Sequence, residues 1–338
     1  MPPAFTELLD AALGRRAPLL ERLRAEGTDA YRLFHGIAEG LPGLTVDRYG
    51  PRILLQTFRD PLSPRQLSAV AEALRARLTH PFGLAYNHRG KAAGESFDTW
   101  HRPAPEVLAE TECREGGLRF LFRPRHGGLD PWLFLDLRPA RRLIREASRG
   151  LSVLNLFAYT CGAGVCAAAA GAREVWNVDF ASSSLETGRR NALLNGIAGE
   201  RFLTVAEDCL PVLRQFAGLP PGGRVGRRAR FQRFEPRRFD LVVLDPPAWS
   251  KSPFGAVDTE GDYPALFKPA VLAAEPGGGR VLATNHVPAV KLEDWLARLR
   301  RCAAKAGRPL RSIRTLAPEE DFPSFDGQPP LKIAVCEV

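Results

Sequence analysis

The sequence predicts an α/β protein: a mostly parallel β-sheet wrapped by helices, with a smaller α+β domain before it. Three observations lead there. From Leu151 onward, short apolar runs alternate with stretches of helical periodicity, the order of repeated strand–helix units. The runs, such as "SVLNLFAY" and "FDLVVL", are apolar on both faces, as strands of a helix-covered parallel sheet must be. Several of them stop at an acid or at a Gly-rich turn, which is how a sheet presents a ligand edge.

The elements follow in order. Residues 1–28 form an N-terminal helical segment: "AFTELLDAALGRRAPLLERLRAE" repeats Leu and Ala at helical spacing and breaks at Pro18, which predicts two short helices. Residues 29–125 form the small domain. Strand-like runs "YRLFHGIAEG", "LTVDRYG" and "RILLQTF" precede a helix over Ser63 to Thr79, with Ser at its cap and Pro in its first turn. "FGLAYNHRG", "EVLAETECREGG" and "LRFLFRP" read as further strands. Residues 126–338 form the larger domain. A loop and a helix come first, then seven strands: "SVLNLFAY", "REVWNVDF", "RFLTVAED", "FDLVVLDPP", "GRVLATNH", "LRSIRTL" and "LKIAVCEV". Helices lie between the first six. The whole is a Rossmann-like sheet of seven strands, mostly parallel. One insertion, 220–238, "PPGGRVGRRARFQRFEPRR", is far longer than an ordinary helix–strand connection.

The chain has 338 residues, 45% of them apolar. It has no apolar stretch of membrane-spanning length, and its start lacks the basic opening and small-residue cleavage site of a signal peptide. A soluble, cytoplasmic protein is expected. The six cysteines form no CxxC pair and no paired Cys/His spacing, so reduced thiols and no metal are expected. Net charge is +9, and Arg supplies 41 of the 47 basic residues. Arg-rich codon usage explains that as well as a polyanionic partner does, and clustering must decide between them. The insertion supplies a cluster: Arg227, Arg228, Arg230 and Arg233 are interleaved with Phe231 and Phe234. Together with Lys251 these are the candidates for RNA contact, against the plainer reading of a solvated linker.

The strand ends carry the chemistry. The first offers Phe157, Tyr159, Thr160 and Gly162 within "LFAYTCGAG". The dinucleotide pattern GxGxxG is not met, because after Gly164 the next glycine is Gly171; this argues against a pyrophosphate cofactor. The second ends in Asp179, 17 residues after Gly162, with Phe180 behind it. An acid at about that distance binds ribose hydroxyls; a helix cap is the alternative, though Ser182 can also cap. The third ends in Glu207-Asp208; Asp208 can accept from an adenine amino group or be a surface acid. The fourth ends in Asp245-Pro246-Pro247, two prolines stiffening the corner, with Trp249 placed to offer a flat face. The fifth ends in Thr284-Asn285-His286. Adenosine-binding acids without a pyrophosphate turn point to S-adenosylmethionine. That cofactor must have its sulfonium set in line with a nucleophile.

From about Tyr31 to the C-terminus, roughly nine tenths of the chain, the sequence resembles the bacterial large-subunit ribosomal RNA methyltransferases of the I type and the K half of the K/L type. The resemblance rests on "GIAEGLPGLTVDRYG", "FLDLRPARRL", "VLNLFAYTCGAGVCAAAAGA", "FDLVVLDPPAWS" and "LKIAVCEV". It implies a class I methyltransferase sheet, Asp179 on the ribose and Asp208 on the adenine. It also implies Phe134, Asp136 and Arg138 on the methionine part, and Asp245 and Pro246 lining the target-base pocket. Three departures bear on this. Members of the I type begin with an RNA-binding PUA domain, whereas only about 30 residues precede the match here, which leaves RNA contact to segments such as the insertion. The family often has Gly where Cys161 stands. The I type methylates cytosine C5 and needs a cysteine after the fifth strand to add to C6; the K type makes 7-methylguanine and carries Ser-Asn-Asn there. Thr284-Asn285-His286 is nearer the latter, so a base nitrogen is the expected target. Asp245 and Asn285 would orient the base, Trp249 would stack on it, and His286 would do acid–base work or hold a loop. The alternatives are a C5 enzyme with a displaced cysteine and a methyltransferase of proteins or small molecules. A nicotinamide oxidoreductase is opposed by the missing third glycine, and an RNA-binding module with a vestigial site by the intact Asp179 and Asp-Pro-Pro.

Overall fold

The computed structural model describes residues 4–90, 103–197, 199–221, 232–252 and 255–338. The chain divides into two compact units, Met1–Asp136 with Pro318–Gly327, and Leu137–Ala317 with Gln328–Val338.

In the first unit, helix α1 (Ala4–Ala25) is a single helix with Pro18 inside it, not the two short helices expected. Phe5, Leu9, Ala12, Leu19 and Leu23 are all buried. Their spacing of three and four places one stripe on one face of the helix, and that stripe runs unbroken past the proline. Burying both halves in the same core offsets the lost amide. The missing residue on the stripe is Arg16, 1% exposed and ion-paired with the buried Glu39. Strands β1 (Ala30–His35), β2 (Leu44–Tyr49), β3 (Arg52–Thr57) and β4 (Gly83–His88) lie side by side in that order. The first two pairings are antiparallel and β3–β4 is parallel. Helix α2 (Pro64–Arg75) makes the parallel crossover, and Ser63 and Gln66 close a capping box at its start. "EVLAETECREGG" is strand only in its second half: a helical turn, α3 (Pro105–Leu108), precedes the hairpin β5 (Thr111–Glu115) and β6 (Leu118–Phe122).

The second unit opens with helix α4 (Arg138–Ala147), followed by strands β7 (Ser152–Leu156), β8 (Glu174–Asp179), β9 (Phe202–Ala206) and β10 (Leu241–Leu244). A two-stranded hairpin, β11 (Trp249–Ser252) with β12 (Gly255–Asp258), follows the Asp-Pro-Pro corner; the apolar periodicity gives no sign of it. Strands β13 (Arg280–Asn285), β14 (Ser312–Leu316) and β15 (Lys332–Glu337) complete the unit. All but the hairpin form one sheet in the order β14-β15-β13-β10-β7-β8-β9. Only β15 runs antiparallel to its neighbours. Helices α5 (Gly162–Ala169), α6 (Ser182–Leu194), α7 (Cys209–Phe216), α8 (Tyr263–Ala273) and α9 (Leu292–Lys305) connect the strands. The central β7 and β10 are buried at every position, as strands covered on both faces require. The sheet starts at β7 in its middle, builds outward through β8 and β9, and then returns to β10 on the other side. The switch point therefore lies between the C-terminal ends of β7 and β10, where α/β sheets bind ligands. Among the described residues no helix is long and apolar enough to cross a membrane.

Candidate active site

The loop after β7 is held in a conformation that side chains resist. Phe157, Tyr159 and Cys161 have φ of 57°, 49° and 60°, each in the sparsely allowed left-handed region, with a cost of order 1 kcal/mol apiece. Four contacts hold it there. Phe157 N–H donates to Cys209 Sγ at 3.1 Å and Ala158 N–H to Val178 O at 3.0 Å. Tyr159 N–H donates to Asp179 Oδ2 at 2.9 Å, and Asn191 Nδ2 to Thr160 O at 3.0 Å. Asp179 Oδ1 accepts from Ala181 N–H at 2.9 Å. Helix α6 has Ala181 at its cap and no side-chain cap, so Asp179, not Ser182, serves the helix entry. Its carboxylate oxygens accept one amide hydrogen each and retain a lone pair for a hydroxyl donor, so the ribose and helix-entry readings are compatible. Burial pushes the Asp179 carboxyl above its ordinary value, more than the two amides pull it down.

Cys161, at the position where the resemblance leads one to expect glycine, is fully buried. A Cβ on Gly188 of α6 would overlap its Sγ and lie 2.8 Å from its Cβ. The cysteine side chain thus fills the room that Gly188 leaves. Gly164 serves the packing of α5: a Cβ there would run into Asn177 Oδ1, so its absence lets the helix close onto the sheet. Gly162 stands at the N-terminus of α5. Asp208 caps α7, its Oδ1 accepting from Leu210 N–H at 2.8 Å. Glu207 Oε1 accepts from Gln232 N–H at 2.9 Å. Phe180 is exposed. Phe134 and Asp136 belong to the first unit, and Arg138, at the start of α4, to the second.

The second cluster joins the ends of β10 and β13. Asp245 Oδ1 accepts from Thr284 Oγ1 and from His286 Nε2, the latter at 3.0 Å. Burial pushes the Asp245 carboxyl up, but the hydrogen bonds of His286 and Thr284 and the charge of Arg141 outweigh it and hold it below its ordinary value. The corner is braced from behind. Tyr263 donates its hydroxyl to Thr284 O at 2.7 Å. Asn285 is 1% exposed; its Oδ1 accepts from Val287 N–H at 2.9 Å, which fixes the amide orientation, and its buried Nδ2 has no acceptor. Buried Lys332 donates to Val287 O at 2.9 Å and Pro330 O at 3.0 Å. Pro246 is buried and Trp249 is 63% exposed.

The structure thus brings Asp245 and His286 together, engages the Asn285 side chain with the Val287 amide, and sets Asp179 against Tyr159. It adds Thr284, Arg141 and Lys332, to which the sequence alone assigns no role. Thr284 has a signal, its place at a strand end beside Asp245. Lys332 has none, because a lysine opening a terminal strand reads as solvated. Arg227, Arg228 and Arg230 lie outside the described residues, as does the side chain of Lys251; Arg233 is exposed.

The donor set fits S-adenosylmethionine: a buried acid at the end of β8, a loop without a pyrophosphate cradle, and a second acid-centred corner at the same edge of the sheet. The family model for the S-adenosylmethionine-dependent methyltransferases matches residues 31–336. A ribosomal RNA large subunit methyltransferase of Deinococcus radiodurans is 31% identical over 314 residues, 90% of this chain and 72% of that protein. The large subunit methyltransferase K/L of Shewanella sp. strain ANA-3 is 30% identical over 84% of this chain, which spans only 38% of that longer protein. The crystal structure of SMU.776 complexed with SAH superposes with a TM-score of 0.78 at 20% identity, covering 99% of this chain and 81% of that one; the fold is shared. The chain belongs to the S-adenosylmethionine-dependent methyltransferase family, and S-adenosylmethionine is its cofactor.

Proposed function

We propose that the protein methylates a base of large-subunit ribosomal RNA, on a nitrogen of the guanine N7 kind and not on cytosine C5. The substrate class comes from the relatives named for that RNA. The choice of atom is carried by one observation: the end of β13 brings Thr284 and His286 onto Asp245, with Asn285 between them in sequence and no cysteine among the three. Carbon 5 of cytosine becomes nucleophilic only after a thiolate adds to C6. All six cysteines are buried. Burial pushes the thiols of Cys209 and Cys302 up and that of Cys336 up to about 12, the opposite of an activated nucleophile. A ring nitrogen with its own lone pair needs only placement.

When bound, the cofactor supplies an electrophilic methyl group on its sulfonium. The protein's part is to hold both reactants. Asp179 takes the ribose and Asp208 the adenine; Phe134, Asp136 and Arg138 take the methionine end, with Phe157, Tyr159, Thr160, Gly162 and Phe180 around them. Asp245, kept ionised, accepts from N–H donors of the target base. Asn285 Nδ2 is a donor that an acceptor on the base would satisfy. Trp249 stacks on the base or its neighbour. Arg227, Arg228, Arg230, Arg233 and Lys251 contact the RNA backbone. The test is mass spectrometry of nucleosides from ribosomal RNA incubated with the protein and isotopically labelled cofactor. Label in a ring-nitrogen-methylated purine is expected. Label in 5-methylcytosine overturns the choice of atom, and label only in protein or small molecules overturns the substrate class.

A further inference from the structure

Arg237 and Arg238 are adjacent in sequence and opposite in surroundings. Arg237 donates to both carboxylate oxygens of Glu174, at 2.8 and 2.7 Å, and its guanidinium carbon lies 5.1 Å from the Trp176 ring centroid. Among the described residues, Arg238 has no ion pair of this kind. Its Nη1 is buried without a hydrogen-bond acceptor, and so is Nη1 of Arg308. The two guanidiniums lie near enough for the Arg308 charge to push the Arg238 pKa down, after the larger effect of burial, with Glu275 pulling the other way. A buried donor without an acceptor is costly, and a like charge in the neighbourhood adds to that cost.

Both residues sit at the sheet edge opposite the catalytic corner. Arg238 leads into the N-terminal end of β10, whereas Asp245 follows its C-terminal end. Seven residues at about 3.3 Å each put the two roughly 23 Å apart. Arg308 follows the C-terminus of α9, its backbone N–H bonded to Ala303 O at 3.0 Å. Arg311 flanks the same place: its Nη2 is 3.4 Å from where a Cβ on Gly277 would stand, two residues from Glu275. From Trp295 to Ala317 the chain carries seven arginines and lysines and no acid. Guanidinium forks match tetrahedral oxyanions, which can accept from two of them at once.

We propose that Arg238 and Arg308 form a phosphate-binding site on this edge, with Arg311 at its rim. A phosphate oxygen between the two forks supplies the missing acceptors and cancels the repulsion. The ligand is a phosphate group, either free on a small molecule or in an RNA backbone. The inference stands on these arginines alone, whatever atom the catalytic corner methylates.

The test compares thermal unfolding of the full chain in sodium phosphate and in sodium chloride at matched ionic strength. Wild-type Tm should be higher in phosphate. Arg308→Gln should lose that increment, yet in chloride unfold no earlier than wild type, because it removes one of two opposed like charges. An arginine that merely supports the fold would do the reverse. Arg238→Gln should behave as Arg308→Gln does. A wild-type Tm equal in the two salts overturns the site, as does an Arg308→Gln variant that is weaker in chloride and keeps the phosphate increment. A salt titration of single-stranded RNA binding separates the sources. If a backbone phosphate occupies the site, the double variant Arg238→Gln with Arg308→Gln lowers the slope of log affinity against log salt by about 0.7, for the one phosphate lost. Loss of the phosphate increment with an unchanged slope assigns the site to a free phosphate-bearing molecule. Cofactor affinity, measured in the same variants, should not move, so failure here is distinct from failure of the methyl-transfer reading.

Discussion

Gly188 and Cys161 give the sharpest test of how the loop after β7 is built. In Gly188→Ala the new methyl overlaps Cys161 Sγ, lies 2.8 Å from Cys161 Cβ and 3.2 Å from the backbone carbon of Thr160. Cys161 is fully buried, and its backbone is pinned at φ 60°, so neither partner can step aside without moving the loop. Overpacking of this kind costs about 1–3 kcal/mol. Alanine inside a helix returns about 1 kcal/mol relative to glycine, so the net loss should be up to about 2 kcal/mol, or roughly 4–8 °C in Tm for a unit of this size. In a Cys161→Gly background two of the three clashes vanish, and glycine adopts φ 60° freely. Gly188→Ala should then be neutral or stabilising by up to about 1 kcal/mol. The assay is a double-mutant cycle by denaturant or thermal unfolding, with S-adenosylmethionine affinity measured alongside. Equal losses from Gly188→Ala in both backgrounds, within about 0.5 kcal/mol, would refute the idea that these two residues share one space.

Three further outcomes are expected. Asp179→Asn turns an acceptor toward the Tyr159 and Ala181 amides into a part-donor and should weaken cofactor binding at least about tenfold by calorimetry, about 1.4 kcal/mol; an unchanged Kd contradicts the ribose role. His286→Asn removes a hydrogen bond and a charge that hold the Asp245 pKa down. A lowered carboxyl pKa gives stability that is present above the ordinary value of 3.8 and is lost as pH falls through the lower folded value. The variant's acid-unfolding limb should therefore move to higher pH in melts between about pH 3 and 6, and coincident limbs would disprove the coupling. Trp249→Ala should weaken RNA binding about 5- to 160-fold, the worth of about 1–3 kcal/mol of stacking, while Trp249→Phe keeps most of it; equal losses in fluorescence anisotropy would rule out stacking as the reason.

Much of the larger domain was legible because its signals are local. Apolar runs of strand length reported the seven strands, and the acids and glycines at their ends marked the candidate ligand edge. What could not be read were choices that depend on residues far away. Pro18 reads as a helix break, but one buried stripe on both sides of it holds α1 together. Arg16 lies on that stripe because Glu39 is there to pair with it. The segment 318–327 follows the sixth strand of the larger domain, yet it belongs to the first unit. There Asp321 Oδ2 accepts from Arg32 N–H at 3.0 Å, and the Arg32 guanidinium carbon lies 4.5 Å from the Phe322 ring centroid. No periodicity announces a contact across nearly the whole chain.

The sequence by itself determined the α/β class and a cofactor without a pyrophosphate, and singled out one edge of the sheet as the candidate site. Strand and helix periodicity, proline and glycine act within a few residues and need no partner to be recognised. Only the tertiary structure decided what each acid at that edge does. Asp179 braces a strained loop, Asp208 caps a helix, and Asp245 is bound by Thr284 and His286. An acid's role is set by the donors that packing brings within hydrogen-bond reach, and those donors come from other strands and other helices.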